Sequence, residues 1–157
     1  MKKALKLAAI VLALLFVGVQ FMRPARTNPA GVAGQSLEEM SPPPAHVREV
    51  LDRSCMDCHS YRTRWPWYSN VSPVSWFVVE HVKDGRRELN FSKWGSYNEA
   101  ERVSLLKAVC GTVREGYMPL GSYTLVHRGG VLAEEDVKAL CDWSAAEQRR
   151  LEPSGGR

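Results

Sequence analysis

Cys55-Met56-Asp57-Cys58-His59 places two thiols either side of two residues and an imidazole directly after the second. That order is the attachment signal of a c-type haem. Each thiol adds to one vinyl group of the porphyrin, and the adjacent His59 is held beneath the iron as a proximal ligand. Other uses of a Cys-x-x-Cys pair fit worse. A thioredoxin-like redox pair lies near a βαβ pattern, and no such pattern is visible. A zinc site needs a second ligand pair, whereas Cys110 and Cys141 stand far apart without a ligand-type neighbour.

Working outward, Pro43-Pro44 sets up a helix from Ala45 to Ser54, with Val47, Val50, Leu51 and Ser54 on one face. It delivers the chain into Cys55. His46 at its start reads as a solvated residue. After the motif, Trp65-Pro66-Trp67-Tyr68 forms a bulky, stiff loop. Trp65, Trp67 and Tyr68 are expected to wall the cofactor, because a porphyrin needs apolar cover. Ser72-Pro73 then fits a helix start, Ser at N-cap and Pro at N1. The stripe Val74, Phe77, Val78, His81 and Val82 reads as the buried face, with Gly85 ending the regular part.

A third helix is expected from Ser96 or Asn98, each with a glutamate at capping-box spacing. Its buried face is Ala100, Val103, Leu106, Cys110 and Val113, and Gly116 is placed to stop it. The loop Gly116-Tyr117-Met118-Pro119-Leu120-Gly121 follows, in which a thioether projects from irregular backbone. A closing helix spans about Glu134 to Arg150, with Val137, Leu140, Cys141 and Ser144 on one face and Trp143 beside them. Residues 45–150 thus read as one all-α haem-binding domain holding one covalent haem c. Met118 is the expected distal iron ligand, His81 its rival, with His127 and His46 behind them. Cys110 and Cys141 each lie on the apolar stripe of its own helix and read either as a disulfide or as two buried free thiols.

The first 23 residues are a targeting element. Lys2, Lys3 and Lys6 precede an apolar run from Leu7 to Met22 broken only by Gly18 and Gln20. With no small-x-small cleavage site close behind, a signal anchor with its N-terminus in the cytoplasm is favoured over a cleaved signal peptide. Residues 24–44, rich in Pro, Gly and Ala, read as a tether, and residues 151–157 as a polar tail. The five cations before residue 27 account for the formal charge of +4. The remainder carries sixteen of the 21 Lys and Arg against 17 Asp and Glu, so no nucleic-acid partner is expected.

Taken together, these residues resemble class I c-type cytochromes. More closely, the chain resembles the bacterial haem-binding domain family of small exported proteins. The resemblance rests on Cys55 to Ser60, Trp65 to Tyr68, Pro73 to Trp76, His81-Val82, Gly85-Arg86, Leu89 to Ser92, Met118-Pro119, Tyr123, His127 and Trp143. It implies a cytochrome c-like helical haem domain. The expected role is electron transfer on the periplasmic side of the inner membrane, exchanging with redox partner proteins of the cell envelope. One alternative is an enzyme or gas sensor with an open or labile sixth iron position, using His81, His127, Arg86 and Arg87. Another is a haem-bearing structural subunit of a respiratory complex.

Overall fold

The computed structural model describes residues 1–152 and is built from helices alone, with no strand among the described residues. In chain order these are α1 (Lys2–Val19), α2 (Leu37–Met40), α3 (Ala45–Ser54), α4 (Met56–His59), α5 (Val74–Glu88), α6 (Glu99–Arg114), α7 (Gly121–Val126) and α8 (Glu134–Leu151). Short 3-10 turns at Trp67–Asn70, Phe91–Ser96 and Arg128–Gly130 join them.

The frame is the α6–α8 pair, the most extensive helix contact, with α3 laid against α8. Asn98 caps α6 in a reciprocal capping box with Glu101. Leu51, Leu106 and Leu140 are essentially inaccessible in the seam. Each is worth about 1.5–3 kcal/mol of burial. Cys110 and Cys141 are joined by a disulfide across this seam, with Cα atoms 4.8 Å apart. At the start of α8 the Asp136 carboxylate accepts from Arg53 (2.6 Å) and from the Ala133 N–H (2.8 Å), and meets His46 at 3.3 Å. Burial alone would push its pKa up. The Arg53 bond, the Ala133 N–H and the nearby cations outweigh that and hold it below the usual carboxylate value. One carboxylate thereby ties α3 to α8, and His46 is occupied in this pair rather than near the motif.

The α3 face matches its pattern: Val47, Val50, Leu51 and Ser54 are all buried. Helix α5 departs from it. Its buried residues are Ser75, Val79 and Val82, whereas Val74 and Phe77 are exposed. The helix begins at Val74, and the Ser72 hydroxyl bonds that of Ser75 (3.0 Å) instead of capping it. Gly85 lies inside the helix, which runs on to Glu88. Ala100 on α6 is exposed. Leu151 is the buried last residue of α8, so it belongs to the domain rather than to a tail. Residues 153–157 lie outside the described residues.

Two further expectations need correction. Residues 24–44 are not a free tether. Leu37 is fully buried in the core, α2 carries a Ser36–Glu39 capping box, and Gln35 O accepts from Gly95 N at 2.8 Å. Helix α1, in turn, has no buried residue, and no helix among the described residues is long and apolar enough to cross a membrane. Lysines occupy its first turns, leaving an apolar length of roughly 20 Å against a hydrocarbon core of about 30 Å. The spanning anchor is therefore unsupported.

Candidate functional site

Helix α3 ends in the motif, and one further turn of helix, α4, carries it. Cys55 O accepts from Cys58 N at 3.2 Å and His59 N at 2.9 Å. This turn is pinned from several sides. The Ser60 hydroxyl donates to Met56 O (2.6 Å), Thr63 to Asp57 O (2.7 Å), and Arg86 Nε to Ser60 O (2.8 Å). Helix α5 packs flat on it because Gly85 has no side chain. A Cβ there would stand 2.7 Å from Cys58 O and 3.1 Å from Cys58 C. Gly85 is thus a close-approach residue, a purpose its helix-ending reading missed.

The buried Asp57, inside the Cys-x-x-Cys spacer, was also missed. Its carboxylate accepts from Arg64 N (3.0 Å), Arg64 Nε (3.1 Å) and the Tyr123 hydroxyl (2.9 Å). Burial, then the Asp57 charge, pushes the Tyr123 hydroxyl pKa well up, so it stays a donor. A carboxylate inside a Cys-x-x-Cys spacer carries no sequence signal of its own role.

The motif turn divides two cavities. The first, about 370 Å³, is lined by Cys55, His59, Leu89, Phe91, Val109 and Met118 among others. The second, about 460 Å³ and strongly apolar, is lined by Cys58, Tyr68, Phe77, His81, Leu120 and His127 among others. Both are of cofactor-site size. Met118-Pro119 borders the first and Leu120 the second, so one loop closes both. A third cavity beneath residues 29–39 touches Met56 and Tyr61 but none of the candidate ligands.

Met118 is positioned by the end of α6. Gly116, at φ +74°, closes a Schellman cap: Gly116 N donates to Val113 O and Tyr117 N to Thr112 O (2.9 Å). The Met118 N–H shares Thr112 O at 3.2 Å, which turns the thioether into the cavity that holds His59. Across from it, His59 Nδ1 is 3.0 Å from Leu89 O and donates to it, which leaves Nε2 for a metal. Burial lowers the His59 pKa, so the ring is neutral and able to ligate at neutral pH. His81 sits in the other cavity. Its Nδ1 meets Phe77 O at 2.8 Å and its ring lies tilted against Phe77, centroids 4.0 Å apart. His127 is there too, 3.3 Å from the Tyr68 hydroxyl and stacked on Tyr123.

Some expected residues lie elsewhere. Of the aromatic loop only Pro66 and Tyr68 line a cavity. Trp65 is half-buried outside both, and Trp67 is 77% exposed, because the Trp67–Asn70 turn faces its indole outward. Arg86 is spent on Ser60 O, Thr27 O, Asn28 and Thr63, and Arg87 pairs with Asp84. Neither reaches a cavity.

The residues present fit a haem. Burial pushes the Cys55 thiol up to about 12 and Cys58 to about 11, so neither is the ready thiolate of a dithiol redox centre. Among the described residues no three His, Cys, Asp or Glu side chains cluster to hold a bare metal ion. What remains is a pair of protonated thiols and a free imidazole nitrogen bordering two apolar cavities. A family model described as a haem-binding domain matches residues 14–146. No curated protein and no solved structure matches the chain.

Proposed function

The chain belongs to the haem-binding domain family, and from that membership we propose that it carries one covalent haem c and transfers electrons in the cell envelope. One observation carries the reading. Cys55 opens on one cavity and Cys58 on the other. Cys55 and Cys58 would hold a haem, and the side chains lining the two cavities would supply its apolar cover. A bound haem would supply the one-electron couple.

The chain's own residues would do the rest. His59, its tautomer set by Leu89 O, would ligate one face through Nε2. Met118 shares its cavity and His81 does not, which supports His/Met ligation over bis-His. Such a closed iron suits outer-sphere transfer to redox partner proteins. The Cys110–Cys141 disulfide suits an oxidising compartment. That supports export, with the first 23 residues as an uncleaved signal segment that stays on the chain and the domain on the periplasmic side of the inner membrane.

The deciding experiment is haem retention in denatured protein matured in an export-competent host. Wild type should keep its haem on a denaturing gel, and a Cys55→Ser/Cys58→Ser double variant should lose it. Retention in the double variant refutes covalent attachment.

A second reading draws on the polar pair in the larger cavity. Tyr68 and His127 there, with His81, could serve an open sixth position of an enzyme or gas sensor. Rapid, complete carbon monoxide binding by the ferrous protein would favour it.

A further inference from the structure

Trp67 is the aromatic left without a task. It lies outside both cavities, and the segment that leaves α1 runs beside it as a strap. Gln20 pairs with the backbone of Ser72 twice, donating to Ser72 O (3.0 Å) and accepting from Ser72 N (3.0 Å). Arg23 donates to Asn70 O (3.1 Å), and Asn70 in turn donates to Trp67 O (3.0 Å). The Trp76 indole donates to Met22 O at 2.6 Å. Asn28 then bonds Thr63 O and Arg86. These bonds hold the end of an apolar helix against the aromatic loop.

The result is one outward patch: Phe21 (87% exposed), Met22 (69%), Trp67 (77%) and Trp76 (40%). Glu80, one turn after Trp76 on α5, is paired with Lys83 at 3.7 Å, and the rest of the surrounding charge is positive. The sequence holds no Asp or Glu before Glu38 and none between Asp57 and Glu80. Arg62 and Arg64 are paired with acids, but Arg23 and Arg26 bond only neutral acceptors among the described residues. Apolar aromatics with polar edges, flanked by the two unneutralised arginines of the strap, match the interfacial zone of an anionic bilayer. The patch is also continuous with α1, whose apolar side chains Leu12, Leu14, Leu15 and Phe16 are all more than half exposed.

We propose that the face formed by Phe21, Met22, Trp67 and Trp76 seats the haem domain directly on an anionic lipid surface. The strap fixes that orientation, so the domain lies on the membrane instead of swinging above it. The inference rests on the envelope placement proposed above but not on haem attachment.

The test uses the full chain with vesicles of phosphatidylglycerol and phosphatidylcholine (3:7) carrying a photoactivatable carbene on the acyl chain. Haem content is read from absorbance on the same sample. Peptides bearing Trp67 and Trp76 should be labelled at least fivefold more than those bearing the buried Trp94 and Trp143. Trp67→Ser should lower labelling at Trp76 as well, and labelling should fall several-fold in pure phosphatidylcholine. Labelling confined to residues 1–22 overturns the proposal, because the domain then stands off. So does equal labelling with and without the anionic lipid. Failure to bind vesicles overturns both this face and the membrane placement, leaving the haem reading to its own absorbance. If Trp67→Ser leaves labelling unchanged yet slows electron exchange with a partner protein, the patch belongs to that protein.

Discussion

The two cavities beside the motif are built from different grades of structure. The one holding His59 and Met118 is walled by α6, which is bonded to α8 through Cys110–Cys141 and anchored by buried Leu106 and Val113. The one holding Cys58 and His81 is walled by the outer face of α5 and by α7, a six-residue helix with no buried residue. Phe77, Leu125 and Val126 there are all more than half exposed. His59 and Met118 thus border cross-linked, well-buried structure. The cavity holding Cys58 is closed mainly by surface side chains. Iron ligation depends on fixed distances, whereas apolar cover tolerates adjustment.

The sharpest way to break this contrast is to exchange the ligand assignments. Met118→Ala should abolish the weak near-infrared thioether-to-iron band of the oxidised protein, and His81→Ala should leave it intact. If the wild type lacks the band and His81→Ala turns the haem high-spin, the surface-built cavity is the ligating one.

The next largest effect should come from the disulfide. Opening it by Cys110→Ser/Cys141→Ser removes a cross-link over 31 residues, which should cost about 3–4 kcal/mol of stability. Denaturant unfolding measures this. The Met118 signature should weaken before any change in the Cys58 cavity.

Asp136→Asn should follow at about 2–3 kcal/mol, between an exposed and a fully buried ion pair. Its pH profile has a defined sign. Because the folded pKa lies below the unfolded value, the stabilisation is fully present above the ordinary carboxylate pKa. It is lost as pH falls through the folded one. An acid-melting midpoint that the substitution leaves unmoved would refute the clamp.

Gly85→Ala acts on the seam between the cavities. Its Cβ would meet the Cys58 backbone, not a flexible tip, so a loss of about 1–3 kcal/mol is expected. Haem attachment at Cys58 should be slowed more than at Cys55, read as singly attached product by mass spectrometry.

What the sequence made legible follows the same division. Helix α3 and the capping box of α6 rest on contacts within a few residues, and local pattern carries those. The Val74–Phe77–Val78–His81 stripe misled because an apolar stripe says only that a face avoids water. Here it borders a cavity, while Ser75 and Val79 pack inward. The strap was invisible for another reason. Gln20, Arg23 and Asn28 dock through hydrogen bonds to backbone 35 to 52 residues away, and polar residues in a Pro-rich stretch show no periodicity that would announce it. Gly85 and Asp57 share that limitation, since their roles lie in a three-dimensional neighbour and not in their own surroundings along the chain.

The smallest effect should come from Tyr68→Phe, and it separates the two readings of the larger cavity. The Tyr68 hydroxyl meets His127 at 3.3 Å, at the long end for such a bond, and both residues are only half-buried. Losing it should therefore cost no more than about 1 kcal/mol. If the cavity provides cover alone, the variant keeps both its near-infrared band and the wild-type response to carbon monoxide, because neither depends on a hydroxyl far from a closed iron. If the cavity instead faces an open sixth position, Tyr68 and His127 are the polar groups placed to meet a bound ligand. Removing the hydroxyl should then shift the carbon monoxide stretching frequency and its dissociation rate while stability barely changes. A large kinetic effect beside a negligible stability effect would move the functional centre from the Met118 side of the motif to the Cys58 side.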